Sequence, residues 1–229
     1  MLELLTGCLL GGLQGVRHAL EPDHLAAVST LATQQECPRR VAVLGLWWGL
    51  GHALALLGLA GSLALLQRQL SPRWITGFEL GVALLLLLLG ARALRAAWRQ
   101  PQDGPPLLHA HGGTRHHHRG PVAHLHLGRW TMARRPLLIG TVHGLAGSGS
   151  LTALALANMP SAGMRLWYIA VFGLGSLLGM AALSGVAGLP LTRAGRHPLV
   201  QRVMELTVGA LSIGYGVYLS GPLLRRLLG

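Results

Sequence analysis

The chain has no lysine and few charges of any kind. Only 11% of its 229 residues are charged, and 7 acidic residues stand against 19 arginines. Average soluble proteins carry about 25% charged residues, so the composition excludes a large soluble enzymatic domain. The net charge of +12 could suggest a nucleic-acid partner. Membrane topology explains the excess of arginine better, and we expect no nucleic acid to bind.

Cysteine is also scarce, because the chain has only Cys8 and Cys37. A membrane thiol–disulfide oxidoreductase can have three plus three inverted helices, but it needs redox cysteines in equivalent helices. Cys8 starts the first hydrophobic run and Cys37 lies in a loop, and neither has a counterpart near position 133 or 162. We therefore expect no enzyme and keep the oxidoreductase only as a remote alternative.

Apolar residues make up 51% of the chain and are concentrated in long runs. About 20 apolar residues suffice to cross a bilayer as a helix. The runs predict an all-α polytopic protein of the plasma (inner) membrane with six transmembrane helices, a first repeat at 1–98, a loop at 99–131 and a second repeat at 132–229. The six runs are 3–32, 41–66, 75–98, 133–158, 166–189 and 199–220.

Arginine is distributed unevenly between the alternating loops. One side receives thirteen arginines, including those that flank the 99–131 loop, and the other receives five, with Arg17 left out because it belongs to a span. Cytoplasmic loops are enriched in basic residues. The distribution predicts that both termini lie outside and that the long loop is cytoplasmic.

An internal repeat appears at an offset of about 125 residues. Because each repeat holds three helices, an odd number, the second copy must cross the membrane in the opposite sense. Such inverted repeats are typical of secondary transporters, whose substrate sites lie near the midplane between the repeats. The matches pair 15–18 (GVRH) with 140–143 (GTVH), 49–52 (GLGH) with 173–176 (GLGS), and Glu79-Leu80 with Glu205-Leu206.

Residues 18–24 (HALEPDH) place ionisable groups inside the first hydrophobic run. A central aspartate costs about 2.5 to 3.5 kcal/mol in a membrane helix, so such a segment needs a compensating role. Pro22 should break the helix, because proline lacks an N–H and displaces the carbonyl four residues back. On an unbroken helix His18 and His24 would point about 240° apart, whereas a break lets them converge.

Imidazole nitrogens with one carboxylate oxygen suit Ni, Co, Zn or Cu(II) better than Ca or Mg. The candidate ligands are histidines and one aspartate at mid-depth in the first, second and fourth runs. We predict that they bind a divalent transition metal as transported substrate, with no resident cofactor. They are His18, Asp23, His24, His52 and His143.

The 99–131 loop holds seven of the twelve histidines: His109, His111, His116, His117, His118, His124 and His126. Clustered imidazoles among glycine and proline bind Ni, Cu or Zn. We interpret the loop as a cytoplasmic segment that holds metal leaving the pore or buffers it for a metallochaperone. The alternative is a solvated linker with no role in transport.

Five further residues are candidates for the ion pathway: Glu21, Glu79, Ser148, Ser150 and Glu205. Glu79 and Glu205 occupy repeat-related positions and are either helix-start carboxylates or groups for ion entry or proton coupling. The two serines either line the pathway or allow close helix packing.

Residues 17–28 (RHALEPDHLAAV) resemble the signature of the nickel/cobalt transporter family, and 47–52 (WWGLGH) resemble the motif of that family's next helix. The resemblance is strongest to its short six-helix branch, the urease accessory protein UreH type. It implies transport of Ni²⁺ or Co²⁺, with urease maturation proteins as candidate partners. The related efflux branch tends to have glycine where Asp23 stands, so the aspartate favours uptake, and efflux is the alternative. Longer permeases carry an acidic motif where this chain has His143-Gly144, and His143 would replace it.

Overall fold

The computed structural model describes residues 2–33, 35, 37–98, 109–111, 114–116, 125–127, 130–132, 134–194 and 197–228, with side chains from residue 9 onward outside 99–133. Within these ranges the chain forms seven α-helices. They are α1 (Leu2–His18), α2 (Pro22–Ala32), α3 (Pro38–Leu65), α4 (Pro72–Trp98), α5 (Arg134–Asn158), α6 (Ala162–Ala194) and α7 (Pro198–Leu228).

Proline marks the start of α2, α3, α4 and α7. Its fixed φ suits the first helical turn, where its missing N–H would have no helical partner. Pro22 begins α2 within the first hydrophobic run, where three residues separate it from His18, the last residue of α1.

Five of the described helices, α3 to α7, are long and apolar enough to cross a membrane. The chain is thus a helical integral membrane protein. The first run, predicted as one span, is instead divided into helices of 17 and 11 residues, so the described residues contain five continuous spans and a broken pair. Pro22 is the physical reason, since it cannot continue the hydrogen-bonding of α1.

The described part of the 99–131 loop contains secondary structure that the sequence did not predict. Strands β1 (His109–His111) and β2 (Thr114–His116) form one antiparallel hairpin, and β3 (Leu125–Leu127) and β4 (Trp130–Met132) form a second. In the first hairpin His109 lies opposite His116.

Glycines bring the helices into backbone contact. In α1, a Cβ at Gly15 would collide with the carbonyl oxygen of Phe172, and in α5 a Cβ at Gly140 would collide with the carbonyl oxygen of Trp48. Small residues serve this purpose in membrane helix packing, where there is no hydrophobic force between helices. These two contacts pack α1 on α6 and α5 on α3.

The order of contacts gives the helix directions. Along α3, Gly45 meets Ser184, Gly49 meets Leu177, and Ala53 meets Gly173, so α3 and α6 run antiparallel. On α1, Gly11 meets Tyr168 and Gly15 meets Phe172, so α1 and α6 run parallel. We call the end where α1 begins the N-terminal end, and the end where α4 ends and α5 begins the loop end.

Candidate metal centre

Four helices bring histidines to one place in the middle of the bundle. His18 is the last residue of α1, His24 lies in the first turn of α2, His52 lies midway along α3, and His143 lies in α5. His24, His52 and His143 are buried, and His18 is half-buried. The break at Pro22 turns the chain between α1 and α2, and this turn places His18 and His24 side by side.

The four imidazoles form one cluster. The ring centroid of His24 lies 4.7 Å from that of His18, 5.5 Å from that of His52 and 5.0 Å from that of His143. His18 and His52 are 5.1 Å apart. Ring nitrogens of His18, His24 and His52 all lie within 4.8 Å of one another, a separation that a single ion between them could bridge.

Hydrogen bonds orient three of the rings through their Nδ1 atoms. His143 Nδ1 donates to the carbonyl oxygen of Ile139 at 3.1 Å, because a carbonyl can only accept. His24 Nδ1 lies 3.1 Å from Asp23 Oδ1, and His18 Nδ1 lies 3.1 Å from Glu21 Oε1. Carbonyl or carboxylate partners of this kind place the proton on Nδ1 and leave the Nε2 lone pair free for a metal.

The remaining ring nitrogens are buried without a hydrogen-bond partner among the described residues. They are Nε2 of His18, His24 and His143, and both nitrogens of His52. Buried polar atoms are nearly always paired, so an unpaired one needs an explanation. Asp23 Oδ2 lies 3.8 Å from His143 Nε2, which adds one carboxylate oxygen to this group. Nitrogen and carboxylate donors together could hold a divalent transition metal.

A cavity of about 210 Å³ reaches His18. Its rim carries the charged side chains of Arg17 and Glu21 and the polar side chains of Gln14 and Ser150. Its wall includes Leu154 from the last turns of α5, so the cavity lies on the N-terminal side of the cluster. Charged groups are costly in lipid, and their presence at the rim indicates a hydrated space.

Two aromatic rings that the sequence analysis did not select touch the cluster. Trp48 stacks on His24 with ring centroids 5.4 Å apart and meets His143 edge-on at 5.6 Å. Phe172 lies 5.5 Å from His18 and forms part of the cavity wall. A signal for them was present in the repeat, because Phe172 stands 124 residues after Trp48, the offset that relates Gly49 to Gly173.

The other predicted pathway residues are divided between the cavity and the helix packing. Glu21 and Ser150 line the cavity. Ser148 is buried and donates to the carbonyl oxygen of Leu145, as a packing serine would. Neither Glu79 of α4 nor Glu205 of α7 belongs to the clusters of described ligand atoms, and Glu205 accepts a hydrogen bond from Gln201.

The loop histidines fall largely beyond what the structure describes. His117, His118 and His124 lie outside the described residues. The other four belong to strands β1, β2 and β3. The metal-holding role of the loop stays a prediction.

Comparison with known proteins supports the resemblance that the motifs carry. A family model, NicO, described as a high-affinity nickel-transport protein, matches residues 8–221. A urease accessory protein UreH from Bacillus sp. (strain TB-90) is 30% identical over 216 residues, which are 94% of this chain and 91% of that protein. No solved structure matches the chain.

The family model covers nearly the whole chain, including both motifs and all four clustered histidines. It describes transporters of a metal ion, and so the oxidoreductase alternative is wrong and the prediction of a non-enzymatic membrane protein is confirmed. The chain belongs to the NicO family of high-affinity nickel-transport proteins.

Proposed function

We propose that this protein takes up Ni²⁺, or Co²⁺, through the histidine cluster between α1, α2, α3 and α5. The observation that carries the proposal is the set of five buried imidazole nitrogens with no partner among the described residues. Lone pairs left unsatisfied in a protein interior are costly. Because a neutral His52 carries a proton on one of its two ring nitrogens, four of the five nitrogens offer a lone pair. A cation that passes through would satisfy these lone pairs, and imidazole nitrogen is a preferred donor for nickel.

The ligand set we propose consists of Nε2 of His18, His24 and His143, a ring nitrogen of His52, and Oδ2 of Asp23. Ring nitrogens of His18, His24 and His52 lie within 4.8 Å of one another, and Asp23 Oδ2 lies 3.8 Å from His143 Nε2, and these separations support the set. Glu21 and the Ile139 carbonyl would then act on the far sides of the rings, where they hold His18 and His143 in the tautomer that presents Nε2. Asp23 would have both roles, since its other oxygen meets His24.

We further propose six membrane crossings, with α1 and α2 together forming the first. At 1.5 Å per residue, helices of 17 and 11 residues measure about 26 Å and about 17 Å. Together they exceed the hydrocarbon thickness of about 30 Å. The break would then lie inside the membrane, where irregular backbone is tolerated only if it is buried in protein or lines a cavity.

Two inverted repeats are supported by contacts in which a glycine of each half packs against a backbone carbonyl of the other half. Gly15 meets the Phe172 carbonyl, while Gly140, its repeat counterpart, meets the Trp48 carbonyl, and Trp48 is the counterpart of Phe172.

A second pair of glycine–carbonyl contacts also joins repeat-related positions of the two halves. Gly51 meets the Leu137 carbonyl, and Gly175 meets the Gly12 carbonyl. The counterpart helices α3 and α6 run antiparallel, as two copies of opposite orientation require. A site between such halves is accessible from either side when they rock against each other.

The orientation of the chain sets which side of the membrane the cavity faces. The arginine-rich loops lie at the loop end, which the positive-inside rule assigns to the cytoplasm. The cavity beside His18 then faces the exterior, and an ion from outside would reach the histidines first. We propose import because Asp23 stands where the related efflux branch tends to have glycine, with the His-rich loop on the receiving side. A link to urease maturation proteins rests on the name of the UreH relative.

The test is uptake of radioactive nickel by cells that express the protein at limiting metal. His18→Ala and Asp23→Asn should reduce uptake at least tenfold while the protein reaches the membrane in normal amount, and Asn158→Ala should transport normally. Undiminished uptake in both site variants would refute the proposed site. Lower cellular nickel on expression of the wild type would indicate export instead.

A further inference from the structure

We propose that Trp48 and Phe172 are paired lids on the two sides of the histidine cluster, and that Trp48 is closed in this structure. The inference rests on the proposed transport function and goes beyond it, because it names the groups that block the ion path. Neither residue has a side-chain atom among the candidate ligands. Each would act by covering the site.

The two rings lie on opposite sides of the cluster along the bundle axis. Trp48 precedes His52 by one turn in α3, which runs from the loop end toward the N-terminal end, so Trp48 lies on the loop side. Phe172 precedes Ser176 by one turn in α6, which runs the other way, and Ser176 donates to the carbonyl oxygen of Gly15 near the end of α1. Phe172 therefore lies on the N-terminal side.

The backbone fixes both rings in the same manner. Each carbonyl oxygen packs against a glycine of the opposite half, Gly140 for Trp48 and Gly15 for Phe172. A side chain at either glycine would push the aromatic residue away from the cluster. The equivalent placement in the two halves suits a transporter in which one lid opens while the other closes.

The surroundings of the two rings differ in a way that defines the present state. On the N-terminal side, the cavity reaches His18 past Phe172. On the loop side, Trp48 is fully buried and packs in one apolar cluster with Val28, Ile139 and Met180. The route from the histidines is thus open toward the N-terminal end and blocked by Trp48 toward the loop end.

The indole N–H of Trp48 supports the inference that this ring moves between a closed and an open position. Its N–H is buried without a partner among the described residues. A permanent packing residue would avoid such an unsatisfied donor. A ring that leaves its closed position regains a partner for the N–H, so the closed state is easier to open than it would be with phenylalanine.

The experiment measures cysteine accessibility from each side of the membrane. In a background with Cys8→Ser and Cys37→Ser, one reporter is Ser150→Cys at the cavity rim. The other is Val28→Cys, one turn beyond His24 on the loop side. A small cationic methanethiosulfonate is added to intact cells and to inside-out vesicles. The side from which Ser150→Cys reacts is the cavity side.

With Trp48 present, Val28→Cys should not react from the cavity side. Trp48→Ala should raise its rate at least tenfold, and Trp48→Leu should raise it too if the alanine variant does not accumulate. Trp48→Phe should give a rate no higher than wild type, because the phenyl ring still covers the path and lacks the unpaired N–H. Phe172→Ala should also leave it unchanged, since Trp48 alone closes this state. Trp74→Ala, at an exposed tryptophan, is the matched control.

Rapid reaction of Val28→Cys from the cavity side with Trp48 intact would overturn the proposal. So would an unreactive Val28→Cys in both the alanine and leucine variants. Equilibrium binding of Ni²⁺ to the same proteins separates the two proposals. If nickel binds and the labelling rate does not respond to substitution of Trp48, the lid proposal is wrong and the transport proposal stands. If wild type binds no nickel, the proposed function fails, whatever the labelling shows.

Discussion

Removing the carboxylate of Glu21 should weaken nickel binding although Glu21 is not itself in the proposed ligand set. Glu21 Oε1 lies 3.1 Å from His18 Nδ1. The hydrogen bond that it accepts from Nδ1–H keeps the proton on Nδ1 and leaves the Nε2 lone pair free for the metal. Loss of such an outer partner typically costs 10- to 100-fold in metal affinity. The Glu21 side chain is 52% exposed, so water can partly replace it. We therefore expect Glu21→Ala to weaken nickel affinity about tenfold, which corresponds to about 1.4 kcal/mol of binding free energy.

The assay is equilibrium dialysis of radioactive nickel against purified protein in detergent. Glu21→Gln keeps an oxygen that can accept from Nδ1 and should bind within about threefold of wild type, since only the charge is lost. Asn158→Ala, at an exposed residue at the end of α5, should bind as wild type. Asp23→Ala should bind nickel more weakly than Glu21→Ala does, because Asp23 meets both His24 and His143.

A double-mutant cycle decides whether Glu21 acts through His18. If it does, the double variant His18→Ala/Glu21→Ala should bind nickel no more weakly than His18→Ala alone, because the group that Glu21 orients is already gone. Additive losses in the double variant would refute this reasoning and indicate that Glu21 contacts the ion directly. Equal affinity of Glu21→Ala and wild type would refute it as well.

Three further predictions concern packing, the loop and pH. Gly140→Ala should destabilise the protein by about 1 to 3 kcal/mol, because the added Cβ would meet the Trp48 carbonyl. Gly58→Ala, at a glycine that faces open space, should leave the stability unchanged. Thermal unfolding of the two variants in detergent gives the comparison, and equal melting temperatures would contradict the packing. Deletion of 104–128 should leave nickel affinity of the buried cluster unchanged by dialysis but lower uptake at limiting metal, and unchanged uptake would make the segment a linker. Uptake should fall below about pH 6, because imidazoles must be neutral to bind metal; a flat profile between pH 5 and 7 would argue against histidine ligands.

Much of the fold could be predicted from the sequence, because its causes are local. Five of the six hydrophobic runs became helices with ends within a few residues of prediction, except that α6 and α7 extend further. The length of an apolar run sets whether a helix can cross a bilayer. Pro22 also acts locally, so the break it predicts between His18 and Asp23 is present. The two hairpins in the loop had no such local signal.

The sequence by itself determined which ionisable groups stand inside the hydrophobic runs and that the helix carrying His18 and His24 must break. Spacing along one chain could not show that His52 meets both His18 and His24 or that His143 meets His24, because that depends on how α3 and α5 pack. Only the tertiary structure decided which of the clustered ring nitrogens stay unpaired and that a cavity lies on one side of the cluster. These properties arise from contacts between helices distant in sequence, which no local periodicity encodes.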